Sequence, residues 1–175
     1  MRYYNEKYGM NNVYFRIPTI FGVGPHGGFH KDGVYRKSGL QIFMDKASNG
    51  EPIEVYGDPD TMKDLLYVKD LNLGIQNALK IPDSKGFYNI GYDQNFRLYD
   101  VVKAIVEVFS KDGAVSSITQ RPDIPNNGGF PIMDMTKLKK DIGFEPRFSD
   151  IVSMMRDYKY EMDRGLYTKL FNVHL

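Results

Sequence analysis

Apolar side chains recur along this chain with two periods, one typical of helices and one typical of strands. The stretch RLYDVVKAIVEVF, residues 97–109, places them at helical spacing and predicts the most regular amphipathic helix. Further helices are predicted over 2–8, 38–50, 69–81, 134–144 and 149–165. Runs rich in β-branched and aromatic residues predict strands over 11–21, 52–57, 63–68, 86–91 and 114–120. Because strands and helices alternate, the predicted fold class is α/β.

Composition and charge restrict the classes of function. The chain has 175 residues, which suits one domain or slightly more. Its formal net charge of +1 gives no reason to expect nucleic acid or an anionic membrane as a partner. The N-terminus is too polar for a signal peptide, so a cytoplasmic location is the default expectation. The sequence contains no cysteine, which excludes disulfides, thiolate metal ligands and a cysteine nucleophile within it.

Two short motifs match parts of a dehydrogenase site. Tyr3-x-x-x-Lys7 has the spacing of a catalytic Tyr-Lys pair, and GVGPHG, residues 22–27, has the glycine spacing of a dinucleotide-binding loop. Such a loop binds a pyrophosphate only where a helix begins, whereas residues 22–33 predict a glycine-rich loop with no helix start. Asp45, near the expected position of a ribose-binding acid, falls inside a predicted helix. The glycine motif is therefore interpreted as a plain loop, while Tyr3 and Lys7 also suit an ordinary i, i+4 surface contact on a helix.

Four segments, in order, resemble the extended short-chain dehydrogenases, which are the NAD-dependent nucleotide-sugar epimerases and dehydratases. The segments are YGMNNVYFRIPTIFGVGP, GEPIEVYGDPDTMKDLLYVKDLNLGI, GFYNIGYDQNFRLYDVVKAI and QRPDIPNNGGFPIMDMTKLKKDIGFEPRFS. The second is similar to the family's Gly-Asp turn and RDF-x-x-V-x-D helix entry, and the third to its YNIG strand followed by a helix. Each segment alone is weak, but four in the family's order with fitting spacings form a specific signal.

The resemblance implies which part of such a protein this chain contains. The family's catalytic lysine lies a full helix length before the arginine that corresponds to Arg16, whereas Lys7 lies only nine positions before it. The resemblance therefore implies that the Tyr3-Lys7 match is coincidental. Residues 1–175 are therefore expected to form the C-terminal part of a Rossmann-type sheet and the small α/β substrate-binding domain, with the N-terminal cofactor-binding half absent. NAD is implied for a full-length parent, but we expect none to bind this chain and expect the chain to be inactive alone.

The resemblance also implies a site for a nucleoside diphosphate sugar. Lys63 and Arg121 occupy the positions of two family arginines that meet the diphosphate, although lysine keeps the charge without the bidentate fork. Asp123 matches an acceptor for the ribose hydroxyls, and Tyr56 lies where a side chain flanks the base. Thr19 stands where many members carry an asparagine near the diphosphate and the nicotinamide.

Ser38 lies near the position of another family asparagine. Three of these candidates could also have a purely structural role with no contact to a ligand. Ser38 could simply cap a helix, Tyr56 could pack on its strand, and Lys63 could be an exposed lysine at a turn. Lys63 and Arg121 are 58 positions apart and are expected to converge. Because two cations without acidic partners repel, such convergence would indicate a bound diphosphate.

The remaining candidates concern metals and partners. His26 and His30 lie on the glycine-rich loop with no third ligand, so no metal site is expected.

The sequence leaves three functions open: a substrate-binding half of an enzyme, a non-catalytic nucleotide-sugar-binding module, and an oligomerising remnant. A homo-oligomer is expected, because a partial sheet leaves an apolar face and strand edges to be covered.

Overall fold

The computed structural model describes residues 2–24, 27–111, 113–126 and 131–165. The helices are α1 Arg2–Tyr8, α2 Gly39–Asn49, α3 Val68–Lys80, α4 Leu98–Phe109, α5 Thr136–Ile142 and α6 Ile151–Arg164. The strands are β1 Val13–Arg16, β2 Thr19–Phe21, β3 Gly28–Lys31, β4 Val34–Lys37, β5 Ile53–Tyr56, β6 Met62–Lys63, β7 Leu65–Tyr67, β8 Gly86–Asn89, β9 Phe96–Arg97 and β10 Ile118–Arg121. The predicted α/β class is confirmed. Within these residues, no helix has the length and hydropathy needed to cross a bilayer.

The chain divides into two compact units, and the first comprises Met1–Phe21, Lys63–Asn95 and Phe130–Ser149. Its strands form two parallel pairs, β1 with β8 and β2 with β7. The single strand predicted over 11–21 is divided into β1 and β2 around Pro18, since proline has no N–H for a sheet hydrogen bond. All three residues of β7 are buried, which is typical of a parallel strand covered on both faces.

A buried aspartate connects two segments of the first unit, Lys63–Asn95 and Phe130–Ser149. Asp70, in the first turn of α3, is fully buried. Its carboxyl accepts hydrogen bonds from the Tyr92 hydroxyl at 2.7 Å and from the backbone N–H groups of Arg147 and Phe148 at 2.7 and 3.3 Å. The Tyr92 oxygen in turn accepts from the N–H of Tyr67 at 3.3 Å. Because a buried carboxyl is costly without partners, this Asp70 network favours one arrangement of these segments.

The second unit comprises Gly22–Met62, Phe96–Gly129 and Asp150–Leu175. In it β5 and β10 pair in parallel, and α4 packs against α2, α6 and β5. The buried side chains of α4 are Leu98, Val101, Val102, Ala104, Ile105, Val106 and Phe109. They form the apolar face that the helical spacing of residues 97–109 predicts.

Residues 22–33, predicted as a plain loop, lead into a β-hairpin instead. β3 and β4 pair antiparallel, and Asp32 and Gly33 form the connecting turn with φ angles of 54° and 75°. Two positive φ angles define a hairpin turn that favours Asp-Gly. A Cβ added at Gly28 would lie 2.3 Å from the carbonyl oxygen of Arg36, so this glycine permits the close pairing. The plain-loop prediction was wrong because Asp32 and Gly33 form a tight turn that joins two paired strands.

Candidate functional site

The last residues of β5 and β10 lie side by side at the carboxyl ends of two parallel strands. Tyr56 and Arg121 are directly opposite each other in the register. Along β5 the side chains of Ile53 and Val55 are buried, so Glu54 and Tyr56 lie on the other, more exposed face. In open α/β sheets, ligands bind outside the carboxyl ends of the strands. This edge is therefore the candidate site of the second unit.

Arg121 is held between two carboxylates at this edge. Its Nη1 donates to Glu54 Oε1 at 2.8 Å, and its Nε and Nη2 donate to the two oxygens of Asp123 at 3.0 and 2.8 Å. The Tyr56 hydroxyl donates to the other glutamate oxygen, Glu54 Oε2, at 3.1 Å. We call Glu54, Tyr56, Arg121 and Asp123 the strand-end cluster.

The backbone that follows both strands fixes the position of the cluster. The N–H of Gly57 donates to the carbonyl oxygen of Arg121 at 3.0 Å, and the Asn126 amide donates to the carbonyl oxygen of Tyr56 at 3.0 Å. Gly57 has a φ of 80°, and a Cβ added there would lie 2.6 Å from the Cβ of Asn126. Glycine at 57 thus allows the segment after β10 to approach the end of β5.

The hydrogen bonds of the cluster lower the pKa of its acceptor Asp123 and raise the pKa values of its donors Arg121 and Tyr56. The Arg121 guanidinium lowers the pKa of Asp123, and the contacts to Asp123 and Glu54 raise the pKa of Arg121. The hydrogen bond to Glu54 raises the pKa of the Tyr56 hydroxyl. Near neutral pH one arginine therefore faces two carboxylates, and the cluster carries a net negative charge.

The cluster contains three of the residues predicted from the sequence, namely Tyr56, Arg121 and Asp123. Ser38 accepts a hydrogen bond from the N–H of Gln41 at 3.2 Å and is the N-cap of α2, as its structural interpretation requires. A ligand-binding role for Ser38 stays a prediction.

Thr19 and Lys63 belong to the segments of the first unit. Thr19 is exposed at the start of β2, opposite Leu65 of β7. Lys63 is half-buried, and burial lowers the pKa of its ammonium group. The expected convergence of Lys63 and Arg121 stays a prediction.

Sequence reasoning missed Glu54 and Asn126. The alternation of β5 offered a signal for Glu54, because residues two apart on a strand share a face and Glu54 precedes Tyr56 by two. Arg121 was expected to lack acidic partners, and this expectation was wrong. Glu54 and Asp123 both contact it, from an adjacent strand and from two residues further along.

The two coincidental motifs also have structural explanations. The Lys7 ammonium donates to the Tyr3 hydroxyl on an exposed face of α1, as expected for a surface contact. Asp45 lies within α2 and accepts hydrogen bonds from Lys37 and Gln41.

Metal ligands were a further sequence candidate. Of the histidine pair, His26 lies outside the described residues, and His30 lies on β3 beside the ring of Tyr35. Among the described residues, no three His, Cys, Asp or Glu side chains are grouped to hold a metal ion.

Residues 1–91 match the NAD dependent epimerase/dehydratase family, and the chain belongs to this family. It is 24% identical over 146 residues to dTDP-4-dehydro-6-deoxyglucose reductase of Escherichia coli, an alignment that covers 83% of this chain and 43% of that protein. It is 30% identical over 117 residues to dTDP-glucose 4,6-dehydratase of Xanthomonas campestris, covering 63% of this chain and 33% of the relative. The chain thus spans less than half the length of these relatives.

The fold is that of the extended short-chain dehydrogenase epimerases. The crystal structure of UDP-N-acetylglucosamine 4-epimerase from Bacillus cereus matches with a TM-score of 0.71 at 22% identity. The match covers 94% of this chain and 50% of the epimerase. The α/β fold of this chain, with its parallel strand pairs, therefore matches that of Rossmann-type epimerase structures.

The described residues of GVGPHG do not fit the NAD pyrophosphate. The segment is followed by β3 rather than by a helix, so it presents no helix N-terminus to a phosphate. A Cβ at Gly27 would lie 2.9 Å from Gln41 Oε1, which shows that this glycine accommodates a neighbouring side chain. Pro25 and His26 lie outside the described residues.

Proposed function

We propose that this chain forms the nucleotide-sugar-binding half of an NAD-dependent epimerase or dehydratase. The observation that carries the proposal is the pairing of Tyr56 with Arg121 at the carboxyl ends of β5 and β10. These are the positions where the family resemblance implies a base-flanking side chain and a diphosphate-binding arginine. Relatives with three different activities are named for dTDP- or UDP-linked sugars, which supports this class of ligand.

Each member of the cluster suits one part of such a ligand. The contacts to Glu54 and Asp123 use three of the five N–H groups of Arg121. The other two can donate charge-assisted hydrogen bonds to phosphate oxygens. The Tyr56 side chain is 43% exposed and offers an aromatic face to the base. Asp123 can accept from ribose hydroxyls while it holds Arg121 in place.

Lys63, Thr19 and Ser38 are proposed as further contacts to the same ligand. Lys63 would add a second cation for the diphosphate, and the hydroxyls of Thr19 and Ser38 would donate to or accept from polar groups of the ligand. These roles are supported by the family resemblance alone, so the experiments below are designed around Arg121.

We expect this segment by itself to bind its ligand in about the millimolar range and not to convert it. In the family a nicotinamide accepts the hydride while a tyrosine accepts the proton. GVGPHG does not suit the binding of the nicotinamide cofactor, and the exposed Tyr3-Lys7 pair does not suit the proton transfer. Incubation with NAD and UDP-glucose or dTDP-glucose should yield no new sugar by mass spectrometry. Formation of a keto or epimerised sugar would contradict this expectation.

A second candidate function, self-association, is favoured by the exposed aromatic residues of α1. Tyr3, Tyr4 and Tyr8 are all more than half exposed, and their rings contact one another. Sedimentation equilibrium should detect a dimer that Tyr4→Ser weakens. A monomer at all concentrations would exclude this function.

Backbone and side-chain NMR during titration with UDP, dTDP and uridine tests the main proposal. We expect saturable shifts at Tyr56, Arg121 and Asp123 with the diphosphates and much smaller shifts with uridine, because Arg121 recognises phosphate. Absence of shifts at these residues, or equal shifts with uridine, would overturn the assignment.

A further inference from the structure

We propose that Glu54 determines the affinity of the strand-end cluster for anions, because it occupies Arg121 as an internal anion that a diphosphate displaces. The inference rests on the proposed function. The family resemblance did not indicate Glu54. In the proposed role, Glu54 competes with the ligand for Arg121 instead of binding the ligand.

The two carboxylates hold Arg121 in unequal ways. Asp123 accepts two parallel hydrogen bonds, from Nε and Nη2, and lies only two residues further along the chain. Glu54 accepts a single hydrogen bond from Nη1 and comes from the neighbouring strand, 67 positions earlier. Two parallel hydrogen bonds to one carboxylate are stronger, and fix the geometry better, than a single hydrogen bond. Glu54 is therefore the partner that an incoming phosphate replaces.

Charge gives the physical reason for the replacement. With both carboxylates in contact, the surroundings of Arg121 carry a net negative charge, which repels a diphosphate. When Glu54 moves away, Arg121 and Asp123 form a neutral pair and the N–H groups of Nη1 face the ligand. The Glu54 side chain is 39% exposed, so it can adopt another rotamer in contact with water. The displaced carboxylate is therefore hydrated and is not left as an unpaired charge in the protein interior.

The displacement also releases Tyr56. The Tyr56 hydroxyl donates to Glu54 Oε2, while the Arg121 contact is made by Oε1 of the same carboxylate. One movement of Glu54 therefore frees both Nη1 of Arg121 and the hydroxyl of Tyr56 for the ligand. A ligand that has a base but no phosphate gains nothing at Nη1 and does not displace Glu54.

Glu54→Gln keeps the size and an acceptor oxygen but removes the charge, and it should bind UDP about three- to fivefold more tightly than wild type at low salt. Affinity for uridine should be unchanged. Glu107→Gln is the matched control, because Glu107 also contacts one arginine, Arg156, at 2.8 Å in the same unit. This control changes the net charge equally and should bind UDP like wild type.

A spectroscopic titration of Tyr56 gives an independent readout. Because the hydrogen bond to Glu54 raises the pKa of Tyr56, Glu54→Gln should lower it, whereas Glu107→Gln should not. An unchanged pKa of Tyr56 would show that Glu54 does not hold the cluster, and would overturn the inference.

The UDP affinities of these variants, measured by calorimetric titration, distinguish a failure of this inference from a failure of the proposed function. If all variants bind UDP but Glu54→Gln binds equally or more weakly, Glu54 is not a competing anion and the inference is wrong, while the proposed function stands. If neither wild type nor Glu54→Gln binds UDP, both are wrong. Binding detectable only in Glu54→Gln would support both.

Discussion

The Asp70 network of the first unit and the strand-end cluster of the second unit use similar groups for different purposes. Each joins a carboxyl group, a tyrosine hydroxyl and donors from distant parts of the chain. Asp70 is fully buried and accepts from a neutral hydroxyl and two backbone N–H groups. The strand-end cluster is partly exposed and consists mainly of charges. Buried polar groups must keep their partners, whereas exposed ion pairs add little stability and can exchange partners.

Removal of the Asp70 carboxyl should have the largest effect on stability. Asp70→Ala leaves the Tyr92 hydroxyl and two backbone N–H groups without their acceptor and should lower the free energy of unfolding by about 3 kcal/mol. Urea unfolding followed by circular dichroism measures this loss. Asp83→Ala, an exposed aspartate of the same unit, is the control and should stay close to wild type. A similar small effect in both variants would contradict a stabilising network.

Removal of one hydroxyl from the network should have a smaller effect. Tyr92→Phe keeps the ring but deletes the donor to Asp70 and the acceptor for Tyr67, and should cost about 1–2 kcal/mol in the same assay. Tyr99→Phe, on α4 and outside the network, tests for a general effect of losing a phenol hydroxyl. Equal losses in the two variants would show that the network does not depend on Tyr92.

The same tyrosine predicts a dependence of stability on alkaline pH. Burial, together with the hydrogen bond to Asp70, raises the pKa of Tyr92 in the folded chain. The unfolded chain therefore releases this proton first, and the stabilisation present below about pH 10 is lost as the pH rises further. Between about pH 9 and 11 the urea midpoint of wild type should fall more steeply than that of Tyr92→Phe. Parallel curves would contradict this assignment.

Loss of Arg121 should hardly affect stability. Its ion pairs are partly exposed to water, so Arg121→Ala should unfold at nearly the same urea concentration as wild type. This result would complete the contrast with Asp70. A loss as large as that of Asp70→Ala would indicate that the strand-end cluster stabilises the fold rather than binding a ligand.

Sequence reasoning predicted the helices best, because their apolar spacing and end signals agree. Ser38 begins α2 and Gly50 ends it with a φ of 69°, as the pattern indicated. Two of the errors in the strands have clear local causes. Pro18 divides a run that otherwise has strand composition, and the Asp32-Gly33 turn converts a glycine-rich stretch into a hairpin.

The candidate site was only partly predictable, because its pairing depends on strand register. Family resemblance indicated Tyr56, Arg121 and Asp123. It could not indicate Glu54, whose contact with Arg121 exists only because β5 and β10 pair in parallel with Tyr56 opposite Arg121. Contacts between residues 67 positions apart follow from that register and not from local spacing.

The central claim is that the position of Arg121, and not its charge alone, makes a ligand site, and a matched arginine tests it. Arg97 makes the same pattern of contacts in the same unit, with Nε and Nη2 on Asp100 at 2.8 and 3.1 Å and Nη1 on Asp60 at 3.0 Å. Calorimetric titration with UDP should show that Arg121→Ala weakens binding about tenfold or more, since it removes charge-assisted hydrogen bonds to phosphate. Arg97→Ala should bind like wild type. Equal affinities for Arg121→Ala and Arg97→Ala would contradict the account.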